Sequence, residues 1–168
     1  MPEAMQETRK ATQAFRDAHA ELRRMLEAQK AALGDLSRAT PEAALATMER
    51  TVVFLDEEVR PHANAEEVKL YPALDVAVGG REPFTATMRH EHAIMDRWIE
   101  ELAVHAGSTS PDAAWFARRA DQLFGLIEAH FEEEEVLLLP ILDRVYETEE
   151  QFEREVGGDI HAHSASTH

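Results

Sequence analysis

The sequence predicts an all-α fold, an up-down-up-down bundle of four helices, and three observations support this fold class. Apolar residues recur at steps of three and four along four long stretches. Glycine and proline number only seven each and gather where that periodicity stops. The connections between the stretches are short, and short connections make successive helices antiparallel neighbours.

The first two predicted helices have clear ends. The first covers about residues 5–33 and is followed by Gly34, the residue type that most often ends a helix. Thr40 suits the N-cap of the second helix, because its hydroxyl can accept a backbone hydrogen bond, and Pro41 suits the first helical position. We expect this helix to reach about residue 78.

The third and fourth helices follow the same rules. The third is predicted over residues 83–106, and the fourth follows Ser110 and Pro111 and extends to about residue 153. Residues 1–153 are accordingly expected to form one bundle domain. Residues 154–168 have lost the periodicity and are expected to form a disordered tail.

Three prolines fall inside predicted helices, namely Pro61, Pro72 and Pro140. Proline lacks a backbone N–H group, and its ring collides with the carbonyl group four residues earlier. We expect each of these prolines to kink its helix or to end it.

Charge and cysteine content restrict the classes of function. The 168 residues include 33 acidic and 17 basic ones, which gives a net charge of −16. Nucleic acids and anionic membranes attract basic patches, so neither is an expected partner. The absence of cysteine excludes disulfides, zinc–thiolate sites and thiol catalysis, so imidazole and carboxylate must hold any metal. The polar start and the lack of a long apolar run favour a cytoplasmic protein.

An internal repeat relates the second helix to the fourth. Residues 62–74 read HANAEEVKLYPAL, and residues 130–142 read HFEEEEVLLLPIL. Each copy contains a His-x-x-x-Glu motif, and residues four apart lie on one face of a helix. The first and third helices also correspond in their apolar spacing, and each supplies one histidine.

Six polar residues occupy positions where the helical periodicity requires a core residue. Burying carboxylates without a compensating charge is costly, and a pair of metal ions would supply that charge. A single core histidine is more often a packing residue, and a buried hydrogen-bond network is the alternative, but the agreement of six positions favours metal binding. The candidate ligands are His19, His62, Glu66, His92, His130 and Glu134.

Neighbouring polar residues are weaker candidates. Glu67 and Glu135, next to the two core carboxylates, are second-choice ligands, and Asp96 lies beside the core stripe. His90 is about 200° around the helix from His92 and is expected to face solvent.

Two further residues are expected to be structural. His105 continues the core stripe in the last turn of its helix, where a contact with the helix end is the expected role. Tyr71 aligns with Leu139 in the repeat and is interpreted as a structural residue. The tail histidines are expected to bind metal only weakly.

The histidines and glutamates follow one another in the order His19, His62-x-x-x-Glu66, His92, His130-x-x-x-Glu134. This order resembles that of the hemerythrin-like HHE cation-binding domain, and the resemblance covers about residues 10–147. The resemblance implies a non-haem di-iron site, with two iron ions, bridging carboxylates from Glu66 and Glu134, and an oxo or hydroxo bridge. Manganese and zinc suit the same donors. Members of this family bind dioxygen, sense oxygen or iron, handle nitric oxide or peroxide, or help repair iron–sulfur clusters.

The chain departs from the oxygen-carrying members, which use five histidines. The third helix offers His92 alone where those proteins have His-x-x-x-His, which argues against fast reversible oxygen carriage. Four histidines, two bridging carboxylates and an oxo or hydroxo bridge leave about two of twelve octahedral positions open for dioxygen, nitric oxide or peroxide.

Three hypotheses follow for the function. The first is a protein that binds, senses or scavenges a small ligand in a dry pocket. The second is a di-iron catalase, peroxidase or nitric oxide reductase, with iron handling or cluster repair as a related role. The third is a structural bundle with incidental zinc. The residues expected to line the dry pocket are Phe15, Leu22, Met95 and Ile127.

Overall fold

The computed structural model describes residues 9–80 and 83–156, and every regular element in this part of the chain is helical. Successive long helices pack side by side, and the first also packs against the fourth, which closes the bundle. The predicted all-α four-helix bundle is confirmed. The helices are α1 (Gln13–Gly34), α2 (residues 41–77), α3 (Ala86–Ala106), α4 (residues 113–145) and α5 (Glu149–Val156), with a short 3-10 turn at Leu36–Arg38.

Three turns of π-helix interrupt α2 and α4, at Leu55–Val59, Glu66–Leu70 and Glu134–Leu138. Each of these π segments ends two residues before a proline, which is Pro61, Pro72 or Pro140. A π turn moves the backbone hydrogen bond one residue further along, so the helix can continue past a residue that has no N–H group. The prolines therefore do not end their helices, and the widened turns accommodate them.

The start of α2 agrees with the prediction, whereas α1 and α3 start later than predicted. The hydroxyl of Thr40 accepts a hydrogen bond from the N–H group of Ala43 at 3.3 Å. Residues 9–12 and 83–85 lie outside α1 and α3. Residues 5–8, which the prediction also assigned to the first helix, lie outside the described residues.

Contacts with distant aspartates explain the late starts. The backbone N–H group and the hydroxyl of Thr12 both donate to Asp143, at 3.0 and 2.8 Å. Thr85 makes the equivalent pair of bonds with Asp75, at 3.0 and 3.2 Å. These bonds tie each residue before the helix to the end of a neighbouring helix, which the local sequence does not encode.

The fourth helix ends earlier than predicted, at Val145. Tyr146 adopts an extended backbone conformation, and Thr148 then begins α5 by accepting the N–H group of Gln151 on its hydroxyl. The helix α5 includes residues 154–156 of the predicted tail. Residues 157–168 of that tail lie outside the described residues.

Two apolar clusters fill the bundle. The large core cluster is built around Leu26, Leu55, Ile99 and Leu123, and the small core cluster around Phe15, Tyr71, Leu139 and Phe152. Within the described chain, no helix has the combined length and apolar character that a membrane span requires.

Candidate metal centre

The six predicted residues converge in the middle of the bundle. On α1, His19 lies between Phe15 of the small core cluster and Leu22 of the large one, so the site separates the two clusters. On α3, His92 lies in the same way between Met88 and Met95. None of the six side chains is more than 8% exposed, so water reaches them poorly.

The first histidine pair, His19 and His62, meets the two carboxylates from one side. The Oε1 atom of Glu66 lies 3.1 Å from His19 Nε2 and 2.7 Å from His62 Nε2. The Oε2 atom of Glu134 lies 3.2 Å from His19 Nε2. Three side chains of this group, His19, His62 and Glu66, place donor atoms close enough together to hold one metal ion.

The second histidine pair, His92 and His130, meets the same carboxylates from the other side. The two Nε2 atoms of this pair are 2.9 Å apart. The Oε2 atom of Glu66 lies 3.3 Å from His92 Nε2, and the Oε1 atom of Glu134 lies 3.5 Å from His130 Nε2. Each carboxylate thus directs one oxygen atom to each histidine pair, and Glu66, His92 and His130 form a second possible metal group.

The donor atoms fit metal ions better than they fit one another. His62 Nε2, Glu66 Oε2 and Glu134 Oε2 are buried and make no hydrogen bond of good geometry, although the nearest donor or acceptor atoms lie only 2.7, 3.3 and 3.2 Å away. Adjacent ligands of an octahedral ion bound at about 2.1 Å lie about 3 Å apart, which matches the separations observed within each group. The donor set of imidazole and carboxylate is also that of non-haem iron, manganese and zinc sites.

A family model for the hemerythrin HHE cation binding domain matches residues 10–142 of the chain. The chain belongs to this hemerythrin HHE family. Neither the comparison with curated proteins nor that with solved structures gave a match. The family is a cation-binding one, and in this hemerythrin domain the buried histidine and glutamate groups could hold the metal.

Outer carboxylates orient three of the four imidazoles in the hemerythrin domain. His19 Nδ1 donates to Glu135 at 3.0 Å, and His92 Nδ1 donates to Glu67 at 3.1 Å. In a neutral imidazole, an N–H group at Nδ1 leaves the lone pair on Nε2, which is the atom that faces the site. The two second-choice ligands of the sequence prediction therefore contact the outer nitrogen atoms instead.

A third outer carboxylate, Glu91, was not predicted from the sequence. It accepts a hydrogen bond from His130 Nδ1 at 2.7 Å, across the interface of α3 and α4. Glu91 lies off the core stripe of α3, and the corresponding residue of α1 is Ala18, so neither periodicity nor the repeat pointed to it.

Tyr71 is the second residue that sequence reasoning missed. Its side chain is completely buried, and its hydroxyl donates to Glu134 Oε1 at 2.7 Å. The hydroxyl oxygen of Tyr71 also lies 3.2 Å from the Nε2 atoms of both His92 and His130. The one signal in the sequence was that a polar ring replaces the aliphatic Leu139 in the repeat.

In the metal-free protein, the site contains negatively charged carboxylates and protonated, positively charged imidazoles. Burial opposes ionisation of Glu66, but His62, His19 and His92 hold the pKa of this carboxyl well below its usual value. Burial likewise opposes the charged form of His19, yet hydrogen bonds with Glu134 and Glu66 raise its pKa from 6.5 to about 9.

The second histidine pair and Tyr71 show the same electrostatic influence of the carboxylates. Burial disfavours the charged form of His130, but Glu134 and Glu66 raise its pKa to about 9. Burial and the charges of Glu66 and Glu134 raise the pKa of Tyr71 far above its usual value, so the phenol keeps its proton in the metal-free protein. Two cations at this position would reverse the sign of the field on all of these groups.

The remaining polar residues of the prediction lie outside the cluster. His90 is exposed, as predicted, and Asp96 is an exposed residue that accepts from Arg60 at 2.7 Å. His105 contacts the backbone of Asp112 at the start of α4, in agreement with its predicted structural role. The histidines of the tail lie outside the described residues.

A cavity of about 360 Å³ lies between α2 and α3, and His92 is one of the residues that line it. Its inner wall includes the apolar side chains of Val59, Met95 and Ile99. Of the four residues predicted to form a dry pocket, Met95 lines this cavity. The other three, Phe15, Leu22 and Ile127, are packed in the core clusters.

Proposed function

We propose that this hemerythrin domain holds two iron ions and binds or scavenges a small ligand there, either dioxygen, nitric oxide or peroxide. The observation that carries the proposal is the position of the two shared carboxylates. Glu66 and Glu134 each direct one oxygen atom to the first histidine pair and the other to the second. A carboxylate placed in this way can bridge two ions, whereas a site for one ion needs no such symmetry.

Each ion would have its own pair of histidine ligands. His19 and His62 would hold one ion, His92 and His130 the other, and the two glutamates would be shared. The ions, when bound, supply Lewis acidity and reducing electrons, which are the chemistry that dioxygen, nitric oxide and peroxide require. Six protein side chains cannot fill two octahedra, so coordination positions remain for an external ligand.

The surroundings of the site favour small ligands. The four histidine side chains are at most 8% exposed, so a ligand reaches their Nε2 atoms only if it consists of a few atoms. A cavity between α2 and α3 has His92 in its lining, together with the apolar side chains of Val59, Met95 and Ile99. The apolar clusters on both sides of the site exclude bulk water, which protects a reactive adduct.

The test uses the protein loaded with ferrous iron under anaerobic conditions. The loaded protein is mixed separately with dioxygen, hydrogen peroxide and nitric oxide, while the absorption spectrum and the consumption of each reagent are recorded. Formation of about one adduct per chain supports the binding function. Sustained consumption of peroxide, or of nitric oxide with a reductant, supports the alternative of a di-iron enzyme. Identical spectra before and after all three additions would contradict both functions.

A further inference from the structure

The two copies of the internal repeat differ at one buried position next to the metal centre. In α2 this position is Tyr71, and in α4 it is Leu139. Both side chains are completely buried in the small core cluster. The repeat thus places a phenol oxygen beside one half of an otherwise nearly symmetric site.

The phenol oxygen of Tyr71 is arranged like a metal ligand. It lies 3.2 Å from His92 Nε2 and 3.2 Å from His130 Nε2, and these nitrogen atoms are 2.9 Å apart. Three donor atoms at nearly equal mutual distances of about 3 Å correspond to three adjacent positions around an octahedral ion bound at about 2.1 Å.

Hydrogen bonds can hold these three atoms together in the metal-free protein, and a cation could take their place. A phenol has a single hydrogen atom, which Tyr71 donates to Glu134 at 2.7 Å. The remaining lone pairs of the phenol oxygen face the two imidazole Nε2 atoms at 3.2 Å. A cation between the three atoms would accept electron pairs from all of them at once.

We propose that Tyr71 is a further metal ligand, through its phenolate oxygen, of the ion held by His92 and His130. This inference rests on the proposed di-iron function. Coordination breaks the O–H bond, releases the proton to solvent and forms one metal–oxygen bond, without any change of oxidation state. The two ions would then differ, because the repeat has Leu139, which carries no donor atom, at the position equivalent to Tyr71.

The optical spectrum of the ferric protein tests this assignment directly. A phenolate bound to ferric iron gives a charge-transfer band in the visible range, and excitation in that band enhances the phenolate ring modes in the resonance Raman spectrum. The sequence contains only two tyrosines, Tyr71 and Tyr146. Tyr146 packs against Phe152 of α5, which makes Tyr146→Phe a matched control.

The expected result is a visible band in the iron-loaded wild type and in Tyr146→Phe, and loss of the band in Tyr71→Phe with the iron content preserved. Iron-loaded wild type without phenolate modes would overturn the assignment and leave the di-iron function standing. Wild type that takes up no iron would overturn both. Because the wild-type spectrum decides on its own, a Tyr71→Phe chain that failed to fold would not prevent the test.

Discussion

The Nδ1 atom of His19 lies 3.0 Å from Oε1 of Glu135, while the Nε2 atom of the same ring faces the shared carboxylates. Glu135 in turn accepts a bond from Arg23 at 2.7 Å. Burial opposes the charged form of this carboxyl, but Arg23 and His19 hold its pKa below the usual value. The charged carboxylate fixes an N–H group on the outer nitrogen, so the inner nitrogen is the one that can bind a cation once it has lost its own proton.

Replacing Glu135 by Gln should weaken metal binding although Glu135 is not a ligand. We expect a loss of about 10- to 100-fold in affinity, because the imidazole loses the partner that orients it and raises its basicity. Competition with a chromogenic chelator measures the change. The matched control is Glu132→Gln, since Glu132 is exposed on the same helix. Equal affinities for the two variants would show that the outer carboxylate has no influence on the metal.

Replacing His92 by Ala should remove metal, whereas replacing His90 should have little effect. His92 is buried in the site, and its Nε2 atom lies 3.3 Å from Glu66, while His90 is exposed on the opposite face of α3. The measurement is the metal content of each purified variant, with circular dichroism to verify the helical fold. Loss of metal from His90→Ala but not from His92→Ala would mean that the register of α3 is wrong.

The metal-free protein should lose stability between about pH 6.5 and pH 9. An unfolded histidine titrates near 6.5, and the folded pKa values of His19 and His130 are raised to about 9. A raised folded pKa contributes stability that is complete below the unfolded pKa and disappears as pH rises through the folded one. Thermal unfolding across this range should show a falling melting temperature for the metal-free protein only, because ligation replaces the protons. Parallel curves for the metal-free and loaded proteins would contradict this.

Metal binding near neutral pH should release protons from the site. His19 and His130 are protonated in the metal-free protein below about pH 9, and each must lose its proton before Nε2 can bind a cation. The apparent affinity should therefore continue to rise with pH up to about 9. Calorimetry in buffers with different ionisation enthalpies measures the number of protons released. A heat of binding that is independent of the buffer would exclude these protonated ligands.

Sequence periodicity was sufficient for the residues that face the bundle axis. The steps of three and four selected His92 rather than His90, and Glu134 rather than its exposed neighbour Glu133, and the structure buries the first of each pair. The reason is geometric, since residues on one helical stripe point in one direction whatever the neighbouring helices are.

Features that depend on the neighbouring helices could not be derived in this way. The role of Glu91 depends on its hydrogen bond to His130 on α4. The start of α3 depends on the hydrogen bond between Thr85 and Asp75 on α2. The polar role of Tyr71 likewise depends on atoms from three helices. Periodicity within one helix contains no information on such partners, although the mismatch of Tyr71 and Leu139 in the repeat was visible.

The metal content of the purified protein tests most directly whether the two shared carboxylates hold two metal ions. The protein is loaded anaerobically with ferrous iron, freed of excess metal, and submitted to elemental analysis together with protein quantification. Because Glu66 and Glu134 each reach both histidine pairs, we expect two iron ions per chain. One tightly bound zinc ion per chain, with no iron after iron-replete loading, would contradict the di-iron centre.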